Sequence, residues 1–347
     1  MNAIPDLDLV RRLSGEIDRI FAGLIPVGAR VALINFPNHP NAGDAALWLG
    51  ELAALQRAGA HILYRASWAS YRRDDLARVL RPGDLILLHA GGNFGDLYLH
   101  NQAVTRMRVL EDFPAHRTIQ LPQSIWFENE TNLAPLKQLC EAHRDFTLLV
   151  RERQSLDLAH RYFKVPTALC PDMAFALDAM PRAAAPEADI LWLARGDKES
   201  SGYTAPRGEK DVEVVDWLGP VHPEPPMTRA WRWAAAVNRR LHAASQRGRD
   251  AAWQRRILAA TFEPMARHWT TRGCRILARG RVVVTDRLHG HILALLQGIP
   301  HVALDNTYGK LRTIVDTWTH EARTVHWAHC AAEALQLARS LAEKSAT

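Results

Sequence analysis

The first half of the chain alternates short apolar runs with longer stretches in which apolar side chains recur every three or four positions. Residues 31–36, 61–64, 84–89, 117–121 and 146–150 read as strands. Residues 45–58 read as a helix, with Gly59 placed to cap it. Mostly apolar strands separated by helices predict a parallel sheet covered on both faces. An Ala- and Pro-rich stretch at 177–189, LDAMPRAAAPEAD, marks a seam. A second strand–helix series follows, with apolar runs at 189–194, 212–215, 282–284 and 302–304. The pattern predicts an α/β fold of two doubly wound domains facing a cleft, residues 1–182 and 183–347.

In such sheets ligands bind outside the carboxyl ends of the strands. Five strand ends carry polar or glycine-rich sequence: PNHPNAGD after Phe36, HAGGNFGD after Leu88, PQS after Leu121, RERQS after Val150 and TDRLHGH after Val284. Glycine lets backbone approach a ligand closely, helix N-termini favour anions, and arginine grips phosphate or carboxylate with a rigid fork. Each motif also has a plainer reading. Asn41 and Asp44 suit helix capping, Gly91-Gly92-Asn93 suits a turn, Arg151 suits an ion pair with an acid such as Asp157, and His289 suits the edge of a core. The combination of five is more specific than any member.

Composition narrows the class. The chain has 347 residues, 48% hydrophobic and 23% charged, as a soluble two-domain protein requires. Its four cysteines are far apart and form no CxxC pair, which predicts free thiols rather than a zinc site or disulfide framework. The N-terminus lacks the apolar stretch of a signal peptide, and no segment approaches the ~20 apolar residues of a spanning helix, so a cytoplasmic location is expected. The formal charge of +6 favours anionic partners, and much of it is local: residues 222–258 hold eight arginines against Glu224 and Asp250. Within 228–256, Trp231, Ala234, Ala235 and Leu241 fall near one helical face, as in a basic helix lying on an anionic membrane surface or in an ordinary packed helix. No nucleic-acid-binding motif is present, and no nucleic-acid partner is expected.

NAGDAALWLGEL, GGNFGDLY, LPQS, RERQS, CPDMAF and TDRLHGHILALLQGIPHVALDNTYGK together resemble the polysaccharide pyruvyl transferase family over most of residues 30–320. Within the family, the chain resembles the xanthan-type bacterial exopolysaccharide ketal-pyruvyltransferases. The resemblance implies two Rossmann-like domains similar to the GT-B glycosyltransferases. It implies phosphoenolpyruvate as co-substrate, and a pyruvate ketal formed on two hydroxyls of a sugar, in an acceptor carried on polyprenyl pyrophosphate at the inner face of the cytoplasmic membrane. It places Arg151, Arg287, Leu288 and His289 at the donor. The alternative of the same architecture is a sugar-nucleotide glycosyltransferase.

The chemistry adds further candidates. Phosphoenolpyruvate needs fixed cations and N–H donors; Gly290 opens a helix behind Arg287, and Lys310 follows the next strand end. Protonating the enol methylene calls for a general acid near neutrality, assigned to His289, with His291 as the rival. Asp44 and Asp96 are candidates for the base that activates the sugar, and Asp286 for orienting His289 or pairing with Arg287. Asn41, Gly43, Gly92, Asn93, Gln123 and Ser124 are acceptor or loop candidates. No cluster has metal-ligand spacing, so neither a metal nor a cofactor is expected.

Overall fold

A computed structural model describes residues 6–96, 101–196, 202–203, 206, 208–219, 229–305 and 307–344. Twelve strands among them form two parallel sheets. The first contains β1 (Arg30–Phe36), β2 (His61–Ser67), β3 (Leu85–Leu88), β4 (Gly91–Gly95), β5 (Thr118–Trp126), β6 (Phe146–Val150) and β7 (Thr167–Leu169). Its order is β2-β1-β3-β5-β6-β7, with β4 also beside β5. The second contains β8 (Ala188–Leu193), β9 (Val212–Val215), β10 (Gly280–Thr285), β11 (His301–Ala303) and β12 (Val325–Trp327), ordered β12-β11-β10-β8-β9. Strands change sheet between Leu169 and Ala188, across the Ala/Pro-rich stretch.

Both sheets are Rossmann-like, and the strand order reverses once in each: between β1 and β3, and between β8 and β10. A reversal leaves a crevice at the carboxyl ends of the two strands, because their following helices lie on opposite faces. Alternate side chains of the strands serve different cores. Ala32, Ile34, Ile86 and Leu88 face an outer layer of the first sheet, and Ile190, Trp192, Val282 and Val284 an outer layer of the second. The intervening residues Val31, Leu33, Leu191 and Val283 belong to one continuous core, filled by helices Leu7–Leu24, Ala42–Arg57, Phe262–Ala278 and Leu288–Leu296. The two halves therefore share a buried helical layer.

That layer is closely packed. A Cβ on Gly273 would lie 2.4 Å from the Ala42 Cβ, and one on Gly50 only 1.8 Å from the Met173 carbonyl oxygen. Phe36 stacks on Phe262 with ring centroids 4.1 Å apart.

Three strands escape the sequence pattern: β4, β7 and β12. The glycine-rich stretch after β3, open to a turn reading, is strand β4, which continues the line of β3 alongside β5. The basic segment also differs from a membrane-facing reading of its predicted apolar stripe. It forms helices Arg229–Gln246 and Ala252–Ala260, and Trp231, Ala234, Ala235 and Leu241 pack into or against the shared core. All four cysteines are free thiols.

Alanine exceeds glycine in helix propensity by about 1 kcal/mol. Gly50→Ala should nevertheless lower stability, because overpacking costs about 1–3 kcal/mol or more and the obstacle here is backbone. A thermal unfolding midpoint equal to or above that of the unsubstituted protein would contradict this packing.

Candidate active site

The crevice of the first sheet is shaped by a break between β3 and β4. Opposite it stands Pro122 in the middle of β5, which has no N–H for the ladder. Side-chain amides fill the gap. Gln120 Nε2 donates to the carbonyls of Leu88 and His89 (3.1 and 2.9 Å), and Gln123 Nε2 donates to His89 (2.9 Å). Gln123 Oε1 accepts from the Asn93 N–H at 3.0 Å. Beneath the loop, the fully buried Glu51 accepts from the Ala90 N–H and sits 2.8 Å from His89 Nδ1.

The loop is also held from below by Arg106, which is buried. Its guanidinium donates to Gln120 Oε1 (2.6 Å) and to the Asn93 side-chain and main-chain oxygens (2.7 and 3.3 Å), and lies 4.9 Å from the Phe94 ring centre. Burial lowers its pKa to about 10.

Arg151, at the end of β6, points into this crevice and is buried. Its Nε donates to Ser124 Oγ and its Nη1 to Asp172 Oδ2, each at 2.8 Å. Its Nη2 is directed at Gly92, where a Cβ would lie 2.8 Å from it and 3.5 Å from Lys310 Nζ. A side chain at position 92 would therefore press on the Arg151 guanidinium, with Lys310 at ordinary contact distance beside it. Ser124 Oγ donates onward to Glu152 Oε2 (3.0 Å), whose other oxygen accepts from Ser155. Burial pushes the Glu152 carboxyl up, against the opposing pull of Arg151.

His289 reaches the same place from the second sheet. It lies in the first turn of helix Leu288–Leu296, and its Nε2 stands 3.5 Å from Asp172 Oδ2. Its other face abuts Gly43 in the first turn of helix Ala42–Arg57, where a Cβ would fall 2.3 Å from Nδ1. Asp172 is fully buried and caps a short helical turn by accepting from the Ala174 N–H at 2.9 Å. Burial alone would raise its carboxyl, but His289 and Arg151 outweigh it and hold the group well below the usual carboxylate range.

The crevice of the second sheet is occupied by Arg287. Its Nε donates to the Ala194 carbonyl (3.3 Å), its Nη2 to Asp216 Oδ1 (2.8 Å), and the guanidinium lies 5.6 Å from the Trp217 ring centre.

The structure therefore gathers Gly43, Gly92, Arg151, His289 and Lys310 around Asp172, and sets Arg287 against Asp216 in the neighbouring crevice. Ser124 braces Arg151 within this cluster and Asp44 follows Gly43 at its edge, while the remaining candidates lie elsewhere in the packing. Leu288 is buried in the shared core, and a Cβ on Gly290 would meet Thr285 Oγ1 at 2.5 Å, so both pack rather than face the crevice. Asn41 caps its helix by accepting from the Gly43 N–H, and Gln123 and Asn93 are spent on the loop. Asp96 accepts from the Glu128 and Asn129 N–H groups and from Asn132. Burial would raise its carboxyl, but these donors hold it below the usual range, a poor base. Asp44 stays partly exposed beside His39, at 3.5 Å. His291 is buried in the core, within 2.8 Å of His301 and 3.0 Å of Thr319 Oγ1.

Sequence reasoning missed Asp172, Glu152 and Arg106 as site residues. Asp172 and Glu152 fall in the CPDMAF and RERQS motifs, which were the available signal; Arg106 lies in a helix with nothing local to mark it.

The chain matches the polysaccharide pyruvyl transferase family over residues 41–243 and 271–308. It belongs to that family. It is 32% identical to pyruvyl transferase 1 of Schizosaccharomyces pombe over 86% of this chain and 71% of that one. It is 28% identical to the putative pyruvyl transferase EpsO of Bacillus subtilis over 90% and 91%. Among solved structures, an uncharacterised protein from Klebsiella pneumoniae shares the fold, with a TM-score of 0.57 at 17% identity over 92% of this chain and 99% of that one. The matched residues include every member of the cluster around Asp172 except Lys310.

Two predictions test the pyruvyl transferase framework. Arg106→Gln leaves the buried Gln120 oxygen and the half-buried Asn93 oxygens short of donors, at up to about 1–3 kcal/mol for the buried one; a denaturant midpoint unchanged by the substitution would contradict the role given to Arg106. The second concerns the buried histidines. Burial pushes His291 well below its ordinary value of 6.5 and His301 to about 4. The unfolded chain therefore takes up protons that the folded pair refuses, and stability should fall as pH drops from 6.5 towards 4. His301→Gln should flatten that slope, read as the difference in melting temperature between about pH 7 and about pH 5; an equal slope would contradict it.

Proposed function

We propose that this protein transfers a pyruvyl group from phosphoenolpyruvate to two hydroxyls of a sugar, forming a ketal and releasing phosphate. The observation that carries the reading is the convergence of Arg151, Lys310 and His289 on the backbone of Gly92 and Gly43. Phosphoenolpyruvate concentrates a phosphate and a carboxylate on three carbons, and a guanidinium, an ammonium and an imidazole beside two close-approach glycines suit it. Arg287, paired with Asp216, lines the neighbouring crevice.

His289 gives a proton to the methylene carbon, and the central carbon becomes electrophilic. The first sugar hydroxyl attacks that carbon and loses its proton to a base. The carbon–oxygen bond to phosphate breaks, and phosphate carries away the electron pair. The second hydroxyl then closes the ketal and loses its own proton. Asp44, at the solvent side of the helix that abuts His289, is the base. Asp172 orients His289 and Arg151 rather than reacting. Family membership supports the glycan acceptor, proposed as a repeat unit carried on polyprenyl pyrophosphate in the cytoplasm.

General acid catalysis contributes typically about 10²–10⁴-fold. His289→Ala should therefore reduce phosphate release from phosphoenolpyruvate, with a glycan acceptor, by roughly that factor, while binding of phosphoenolpyruvate, read by thermal shift, falls less than in Arg151→Ala. Near-normal turnover in His289→Ala would remove the acid. Stabilisation by a sugar nucleotide but not by phosphoenolpyruvate would overturn the donor.

A further inference from the structure

The helical hairpin Arg229–Gln246 and Ala252–Ala260 turns its expected apolar stripe inward, yet its outer face is not simply solvated. Trp233 and Trp253 are 65% and 61% exposed, and Ile257 is 39% exposed. Along the first helix runs an open groove of about 570 Å³, floored by Ala236, Ala243 and Ala244 and edged by four arginines between 239 and 249. Arg232 and Arg256 are exposed on the same hairpin. Among the described residues, none of these six arginines is paired with a carboxylate. The one acid within the hairpin, Asp250, is taken up by Arg72 and Arg255 at 3.1 and 3.2 Å.

Two large indoles left mostly in water cost solvation free energy, and a run of uncompensated guanidinium groups demands anions. One partner meets both needs: indoles settle at the boundary between headgroups and acyl chains while arginines meet anionic headgroups. A soluble polyanion meets only the second. No described helix is long and apolar enough to cross a membrane, so attachment through this face is peripheral.

We propose that the outer face of the hairpin 229–260 docks on an anionic lipid bilayer. The hairpin carries none of the residues gathered at Asp172, so this proposal stands or falls independently of the donor assignment.

The test is co-sedimentation of the full chain with phosphatidylcholine vesicles, with and without phosphatidylglycerol. Binding is expected only to the phosphatidylglycerol vesicles, and should weaken as salt shortens the screening length. Arg239→Gln/Arg240→Gln should reduce partitioning by roughly tenfold or more, from about 1 kcal/mol per surface arginine. Trp233→Ser/Trp253→Ser should reduce it further at constant charge, and brominated lipid should quench tryptophan emission only in the unsubstituted protein. Both variants should keep the thermal shift produced by phosphoenolpyruvate. Absence of binding at low salt overturns the proposal. So does binding that depends on the arginines but not on the tryptophans, which would mark the face as a site for a soluble polyanion.

Discussion

The arrangement depends on one buried carboxylate. Asp172 has no exposure to solvent, and an ionised acid in that position needs opposite charge and hydrogen bonds to offset its desolvation. Arg151 supplies them from the first sheet, His289 from the second, and the Ala174 N–H from its own turn. The ion group therefore fixes the two halves against each other as well as the two side chains. Other contacts follow the same seam. Trp318 Nε1 donates to the Arg151 carbonyl at 2.7 Å, and the Arg153 N–H to Thr317 Oγ1 at 3.3 Å. A rigid seam suits the anionic donor proposed above, because preorganised cations need not reorganise as charge moves.

The second dependency is an irregularity of the sheet. A proline in a central strand normally argues against the strand. Here the missing donor at Pro122 is matched by a break in the neighbouring strand, and Gln120 and Gln123 restore the hydrogen bonds from their side chains. The chain then resumes as β4 with Gly91, Gly92 and Gly95. Gly95 is obligatory, since a Cβ there would lie 1.7 Å from the Trp126 carbonyl. The interruption brings the backbone at Gly92 beside the cations, so a local defect in the ladder makes the close approach.

Much of this was legible in the sequence. Apolar runs at 31–36, 146–150 and 282–284 marked strands because a doubly covered parallel sheet leaves few polar positions within them, here only Asn35 and Thr147. Arg151, His289 and Gly43 were legible because strand ends and helix starts are where such folds carry ligands. What stayed hidden depends on long-range pairing. Asp172 looks like any capping aspartate until the fold sets two cations beside it. Arg106 lies on a helix without a local signal, and its acceptors are Gln120 and Asn93 on two different strands. The hairpin 229–260 shows the converse: helical periodicity revealed an amphipathic pattern, but periodicity does not say whether a tryptophan-bearing stripe meets the core or the outside. Trp231 went inward and Trp233 outward.

The geometry of Arg151 explains why an arginine is needed there. A guanidinium presents five N–H donors in a fixed plane. Ser124 takes one edge and Asp172 another, and these two anchors leave no rotational freedom about the group. The third edge, at Nη2, is thereby aimed at the space over Gly92 beside Lys310. A lysine at 151 would keep the charge but lose the plane: one ammonium cannot hold Ser124 and Asp172 in place while also addressing a ligand. The same logic accounts for Glu152. Its carboxyl, pushed up by burial, accepts from Ser124 and so turns that hydroxyl to accept from Arg151 Nε. The acid is two bonds removed from the crevice, yet it sets the direction in which the arginine's ligand-facing edge points.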